Sequence, residues 1–196
     1  MEKVQKHYDL LIDENNDPVN DPIELKNYMD QWDGERFIKS LNLSKDQEVL
    51  EIGIGTGRLA LKVVPFCKKL TGIDLSWKTI ERAKRHLASY DVDLICDDFL
   101  KHEFNKTFDV IYSSLTFMHF VNKEEVFKKI YHLLNSKGTF VLSIDKNQDK
   151  YLDYGTRKIE IYPSTKEEIH TVIDNTNFSI IEEYETKLAW IFNLRK

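Results

Sequence analysis

A basic excess is the clearest absence. Lys and Arg number 28 against 33 Asp and Glu, a formal charge of -5, whereas nucleic-acid-binding domains usually carry a basic patch and a high pI. A neutral or cationic small molecule suits this balance better than a polyanion. Cysteine is nearly missing too. Cys67 and Cys96 stand far apart with no CxxC pair, which predicts two buried thiols in a reducing cytosol rather than a disulfide. No HxxxH pair or cysteine cluster is present, and Asp97–Asp98 is too short a ligand list, so no metal site is expected. No apolar run approaches the ~18 residues of a membrane span. The opening MEKVQKHYDLLIDENNDP holds no apolar core of signal-peptide length. The expectation is a cytoplasmic protein, monomer or homodimer, with no membrane or nucleic-acid partner.

Glycine is sparse as well, 7 in 196 residues, yet three stand at 53, 55 and 57 in VLEIGIGTGR. Glycines at alternate positions after a strand-like run let the chain turn tightly and let a ligand approach bare backbone. The remainder alternates strand and helix. Gln47–Ile52 reads as a strand, Arg58–Phe66 as a helix ended near Pro65, and Lys69–Ile73 as a strand. Ser76–Ser89 is a helix capped by Ser76, and Val92–Cys96 and Phe108–Ser113 are strands. Lys123–Leu134 is a helix stopped by NSKG, Asn135–Gly138, before a strand at Thr139–Ile144. Such alternation predicts right-handed crossovers and a parallel sheet covered on both faces. A helix at Ser164–Thr176, capped by Ser164, precedes two closely joined strands, Phe178–Glu185 and Lys187–Asn193, which must pair antiparallel. Apolar spacing from Pro22 to Leu43 predicts two short helices split at Gly34, preceded by a turn-rich, mobile loop at Asp13–Pro22. The chain reads as one doubly wound α/β domain, residues 44–196, with a helical cap at residues 1–43 as part of it.

In such a sheet, ligands bind beyond the carboxyl ends of the strands where their order reverses. The glycine loop ends the first strand. LTGIDLS ends the second with Asp74, and an acid about 20 residues past the glycines is the residue that takes ribose hydroxyls. ICDDFL ends the third with Asp97 and Asp98, suited to an adenine amino group, and Phe99 offers an N–H and apolar surface for the ring. Ser113 and Ser114 end the fourth. Taken singly, Asp74 is a helix cap, Asp97–Asp98 a solvated turn and the glycines a weak signal; their joint position at successive strand ends points to a nucleoside. A G-x-G-x-x-G dinucleotide fingerprint fails because Arg58 stands where its third glycine belongs, and no GK[ST] follows for a P-loop.

VLEIGIGTGR, LTGIDLSWKTIERAK, ICDDFL, FDVIYSSLTFMHF and LLNSKGTFVLSI resemble, in order, the motifs of class I S-adenosylmethionine-dependent methyltransferases, from about Val49 to Ile144. The tail PSTKEEIHTVIDNTNFSIIEEYE resembles that group's closing helix and strands. The resemblance implies a mostly parallel seven-stranded sheet in the order 3-2-1-4-5-7-6, the last strand antiparallel, and S-adenosyl-L-methionine as cofactor. It implies that Glu51, Gly53 and Gly55 pack against the methionine moiety, Asp74 takes the ribose, Leu75 lies beside the adenine, and Asp98 and Phe99 bind that ring. Asp97 stands where the group often has a small residue, which leaves open which aspartate makes the contact. Ser113 and Ser114 occupy the strand end that lines the transfer site. The [DNS]-P-P-[YFW] motif of the branch that methylates nucleic-acid bases and protein glutamine is replaced by SSLTF, which favours a small-molecule acceptor.

Methyl transfer moves the positive charge off the sulfur, leaving a neutral thioether and spreading the charge in the transition state, so a drier site favours that state. The N-terminal segment is the cap available, and Tyr8, Tyr28 and Trp32 are expected to face the cavity, where their rings could attract the sulfonium; the competing reading of Tyr28 and Trp32 is a helix's buried stripe. His119 in LTFMHF is the candidate base, against a purely structural role. Two other readings compete with methyl transfer: a nucleoside-binding module without turnover, and an NAD or nucleotide-sugar enzyme.

Overall fold

The computed structural model describes residues 2–196. Strands β1 (Glu48–Ile52), β2 (Lys69–Asp74), β3 (Val92–Cys96), β4 (Phe108–Ser113) and β5 (Leu134–Asp145) run parallel. The last two, β8 (Ser179–Glu185) and β9 (Ala189–Arg195), close the sheet in the order β3-β2-β1-β4-β5-β9-β8, with β9 antiparallel to both neighbours. That is the expected order, with β8 and β9 as the sixth and seventh strands.

Period-two alternation sorts the strand residues onto two faces. Leu50, Ile111, Phe140 and Phe192 pack against α6 (Lys123–Leu133) and α7 (Lys166–Asn175) through Phe127, Ile130 and Ile173. Val49, Val110, Val141 and Ile191 point the other way, onto Phe37 of α3 (Gly34–Ser40), Val63 of α4 (Ala60–Val63) and Ile80 of α5 (Trp77–His86). Nearly all these side chains are wholly buried, each stabilising the fold by about 1.5–3 kcal/mol. Continuous burial on both faces is what a parallel sheet requires.

Several local expectations are corrected. Of the two thiols expected to be buried, Cys67 is, but Cys96 is exposed because it ends β3 at the edge of the sheet. Helix α4 begins only at Ala60, because the glycine loop keeps turning through Leu59, and Pro65 confines its end to a 3-10 turn at Val64–Phe66. NSKG does not lie between helix and strand. It sits inside β5, where Lys137 adopts φ +65° and the Asn135 amide holds Asp109 of β4 at 2.7 Å. Thr165, not Ser164, caps α7, through a capping box with Glu168. The loop before α2 (Ile23–Met29) is pinned rather than loose: Asp17 is buried and accepts from Arg82 and Asn20, and pairs with His86 at 3.0 Å. Gly34 does split the next helical stretch, with φ +74° at the start of α3.

Two elements were not among the expected ones. Helix α1 (Glu2–Asp13) turns His7, a polar residue, fully inward. A small hairpin, β6 (Tyr151–Asp153) and β7 (Lys158–Glu160), is inserted between β5 and α7. Its strands are too short to alternate legibly.

Candidate active site

A cavity of about 950 Å³ opens over the carboxyl ends of β1, β2, β3 and β4, where the order reverses. Its roof is foreign to the sheet: Tyr8 from α1, Tyr28 and Trp32 from and after α2, and Leu152 and Tyr154 from the hairpin.

The floor starts at Gly53, whose N–H donates to Ile73 O at 2.8 Å. Gly53 has φ +78°, and a Cβ there would meet the Thr116 side chain at 2.0 Å, so its bareness serves the protein's own packing. Gly55 is different. It has φ +54° and nothing within 4 Å of the Cβ position, so its bare backbone faces free volume in the cavity. Its N–H donates to Asp74 Oδ2 at 2.9 Å. Asp74 Oδ1 accepts from Ser76 N at 2.9 Å and Thr79 Oγ1 at 3.1 Å. Burial pushes this carboxyl's pKa up and those donors pull against it. A carboxylate offers about four acceptor positions, so Oδ2 keeps room for a ligand hydroxyl.

The two aspartates of β3's end part company. Asp97 is exposed, accepts from Asp98 N at 2.8 Å, and lies 2.9 Å from His102 Nδ1, a pairing that holds its carboxyl below the usual range. Asp98 is buried; Oδ1 accepts from Leu100 N at 3.0 Å, while Oδ2 has only Lys101 at 3.8 Å. Both line the cavity, as do Leu75 and the buried Phe99. Glu51 also lines it and accepts from Tyr112 Oη at 2.7 Å; burial lifts its pKa to about 8.

Ser113 does not take the expected place. It is fully buried and its hydroxyl donates to Ile52 O at 2.8 Å, fastening β4 to β1 away from the cavity. Alternation along the strand sends the next residue to the rim instead. Ser114 lines the cavity, its hydroxyl donating to Asp33 Oδ2 at 2.8 Å. Asp33, wholly buried, also accepts from Gly34 N and from the guanidinium of Arg58, whose Nη1 lies 3.0 Å from Oδ1. Arg58, Asp33 and Ser114 thus tie the glycine loop, the cap and β4 together. The sequence signalled none of this: Asp33 is one acid in an acid-rich cap, and only the fold brings it to Arg58.

On the roof, Tyr8 Oη lies 2.7 Å from Nε2 of the buried His119. Burial lowers the His119 pKa to about 4 and raises that of Tyr8, leaving a neutral imidazole. Arg157 Nε donates to His7 Nδ1 at 3.0 Å and forks Glu14 at 2.6 and 2.7 Å, latching the hairpin to α1. Tyr28 and Trp32 meet edge to face, centroids 5.1 Å apart. Tyr28 is 50% exposed, so it stands at the cavity mouth rather than in a buried stripe.

Three lining residues carry buried polar atoms without a protein partner: Thr56 Oγ1, Trp32 Nε1 and His119 Nδ1. With Gly55's open flank and the spare oxygen of Asp74, these donors and acceptors fit a nucleoside with a polar tail. Among the described residues, no cluster of three metal-binding side chains occurs, and no helix is long and apolar enough to cross a membrane.

Comparison with known proteins gives the same reading of the fold. A family described as "Methyltransferase domain" matches residues 49–138. Magnesium protoporphyrin IX methyltransferase of Synechocystis PCC 6803, solved with bound S-adenosylmethionine, superposes with a TM-score of 0.76 at 14% identity, covering 98% of this chain and 95% of that one. The chain is thus similar to S-adenosylmethionine-dependent methyltransferases, in sequence over residues 49–138 and in fold over nearly its whole length. Among curated relatives, malonyl-[acyl-carrier protein] O-methyltransferase of Priestia megaterium is 36% identical over 100 residues, 48% of this chain and 35% of that protein. Carboxy-S-adenosyl-L-methionine synthase of Campylobacter fetus is 32% identical over 136 residues, 66% of this chain and 57% of that protein. The matches span between 35% and 61% of the first two curated relatives. Methyltransferase relatives thus bear names with unlike acceptors, which fits a shared floor under a variable roof.

Proposed function

We propose that the protein transfers a methyl group from S-adenosylmethionine to a small-molecule acceptor. The observation that carries this is the cavity over successive strand tips, with Gly55's open flank beside Asp74, whose Oδ2 has a single partner. When bound, S-adenosylmethionine supplies a methyl group on a positively charged sulfur. Asp74 Oδ2 accepts from the ribose, and Leu75 and Phe99 hold the adenine between them. Asp98 is the better partner for the adenine amino group, because its Oδ2 is the less engaged oxygen while both oxygens of Asp97 are occupied. Glu51 and the Gly53–Gly55 backbone border the methionine moiety. Residues 1–43 act as a cap of the same domain, excluding water through Tyr8, Tyr28 and Trp32. Orientation is then the main contribution the chain makes, holding the acceptor atom about 3–3.5 Å from the methyl.

His119 we assign to positioning. An imidazole titrating at about 4 is a poor proton acceptor near neutrality, whereas its bond to Tyr8 anchors α1 over the cavity. Isothermal calorimetry with S-adenosylmethionine, S-adenosylhomocysteine and NAD tests the reading. Binding of the first two and not NAD is expected; heat with NAD alone removes it. Cofactor binding without thioether formation across an acceptor library would favour a binding module.

A further inference from the structure

The cavity's charge is lopsided in a way that bears on the acceptor, given the methyl-transfer reading above. Asp21, Glu51, Asp74, Asp97, Asp98 and Asp145 line it, against Arg58 and Lys146. Neither cation is free. Arg58 is spent on Asp33, and Lys146 donates to Glu185 Oε2 at 2.9 Å and Thr186 O at 2.8 Å. Four of the acids belong to the strand-tip floor. Asp21 lies in the cap and Asp145 at the tip of β5, outside the β1–β4 floor, and both are under-used: Asp145 Oδ1 accepts only from Asn147 N at 2.8 Å, and Asp21 has no hydrogen bond or ion pair among the described residues.

Asp145 ends β5 at the rim. Ser143, two residues earlier and so on the same face of the strand, donates to Trp32 O at 2.6 Å. That contact sets Asp145 at the Trp32 end of the cavity, and Trp32 in turn meets Tyr28 edge to face. Around them the wall is apolar, with Leu25, Met29 and Leu188. An anionic acceptor would enter this space with no unpaired cation to meet it, at a heavy desolvation cost. A cation meets a carboxylate and an aromatic pair. The buried Nε1 of Trp32, a donor without a protein partner, and Nδ1 of His119 elsewhere in the cavity are polar positions open to other parts of a ligand.

We infer that the acceptor is a hydrophobic amine, its ammonium held by Asp145 beside the Tyr28–Trp32 pair. The bound ammonium gives one proton to water or to the Asp145 carboxylate. The freed nitrogen lone pair forms the N–C bond as the C–S bond breaks; sulfur keeps that electron pair and leaves as a neutral thioether, and the methylated ammonium carries the charge away. This separates the chain from its malonyl-[acyl-carrier protein] relative, whose printed activity is O-methylation.

The test uses three probes of one shape, phenylpropylamine, phenylpropanol and phenylpropionate, titrated calorimetrically into the full chain saturated with S-adenosylhomocysteine. The amine is expected to bind about tenfold or more tightly than the alcohol, and the acid most weakly. Asp145→Asn should erase most of the amine's advantage while leaving alcohol and S-adenosylhomocysteine affinities within about twofold. Equal or tighter binding of the acid, indifference of the amine to Asp145→Asn, or no probe binding while S-adenosylhomocysteine binds would each overturn the inference. Failure of S-adenosylhomocysteine itself to bind would instead sink the methyl-transfer reading.

Discussion

The floor and the roof of the cavity are built on different principles. The floor is local: short segments at the ends of adjacent parallel strands, each contributing backbone N–H groups or one short acid. Gly55 N to Asp74, Ser76 N to Asp74 and Asp98 N to Asp97 are all bonds between a strand tip and its immediate surroundings. The roof is long-range. Tyr8 reaches His119, Arg157 reaches His7 and Glu14, and Arg58 reaches Asp33, pairs far apart in the chain. A floor made of backbone and sheet geometry tolerates little change, whereas a roof made of side-chain latches can be altered one latch at a time. That difference suits a fixed cofactor beneath a variable acceptor.

Substitutions can break or sharpen this contrast. The largest effect is expected at Gly53→Ala, where a Cβ would stand 2.0 Å from Thr116 at φ +78°; a loss of about 2 kcal/mol or more in urea unfolding is expected, partly restored by adding Thr116→Ala. A stable single variant would show the floor to be softer than described. Asp74→Ala comes next: it removes the proposed ribose acceptor and frees the Gly55 turn, and S-adenosylhomocysteine affinity should fall about tenfold or more, matching about 1.5–3 kcal/mol for a charge-assisted bond. Unchanged affinity by calorimetry would take Asp74 out of the site.

Roof changes should be milder. Tyr8→Phe loses the His119 bond and should cost about 1 kcal/mol of stability, with cofactor affinity moved less than about twofold. A loss as large as that of Asp74→Ala would make roof and floor one unit. The subtlest effect is a pH trend. Glu51 titrates at about 8 folded against 4.5 unfolded. Between those values the native state binds more protons than the unfolded chain, so this group's contribution is fully present below 4.5 and is lost as pH rises through 8. Glu51→Gln should therefore gain on the native protein as pH is raised across that window, read as the difference in unfolding midpoints; a difference independent of pH would mean Glu51 is not buried as described.

Much of the floor was legible because it depends on local sequence order. Glycines after an apolar strand, an acid at the next strand end and Asp97–Asp98 at the third are recognisable in any register of the sheet. Ser113 misled because strand alternation decides which of two adjacent serines faces inward, and the turn after Ser113 is set by Leu115 at φ +56°. The roof was barely legible. Helix α1 carries an apolar row, Val4, Tyr8 and Leu11, but nothing local shows that it buries His7 against Arg157 and Tyr154, and the hairpin's three-residue strands carry no period.

By itself, the chain's order of residues determined the alternation of strands and helices and which residues stand at successive strand ends, because backbone periodicity and turn chemistry act over a few residues at a time; the strand order came only with the family resemblance. Only the tertiary structure decided which acids stay free and which are consumed. Whether Asp33 meets Arg58, or Asp145 stays half-partnered while Lys146 turns to Glu185, depends on distances between segments that no local pattern encodes.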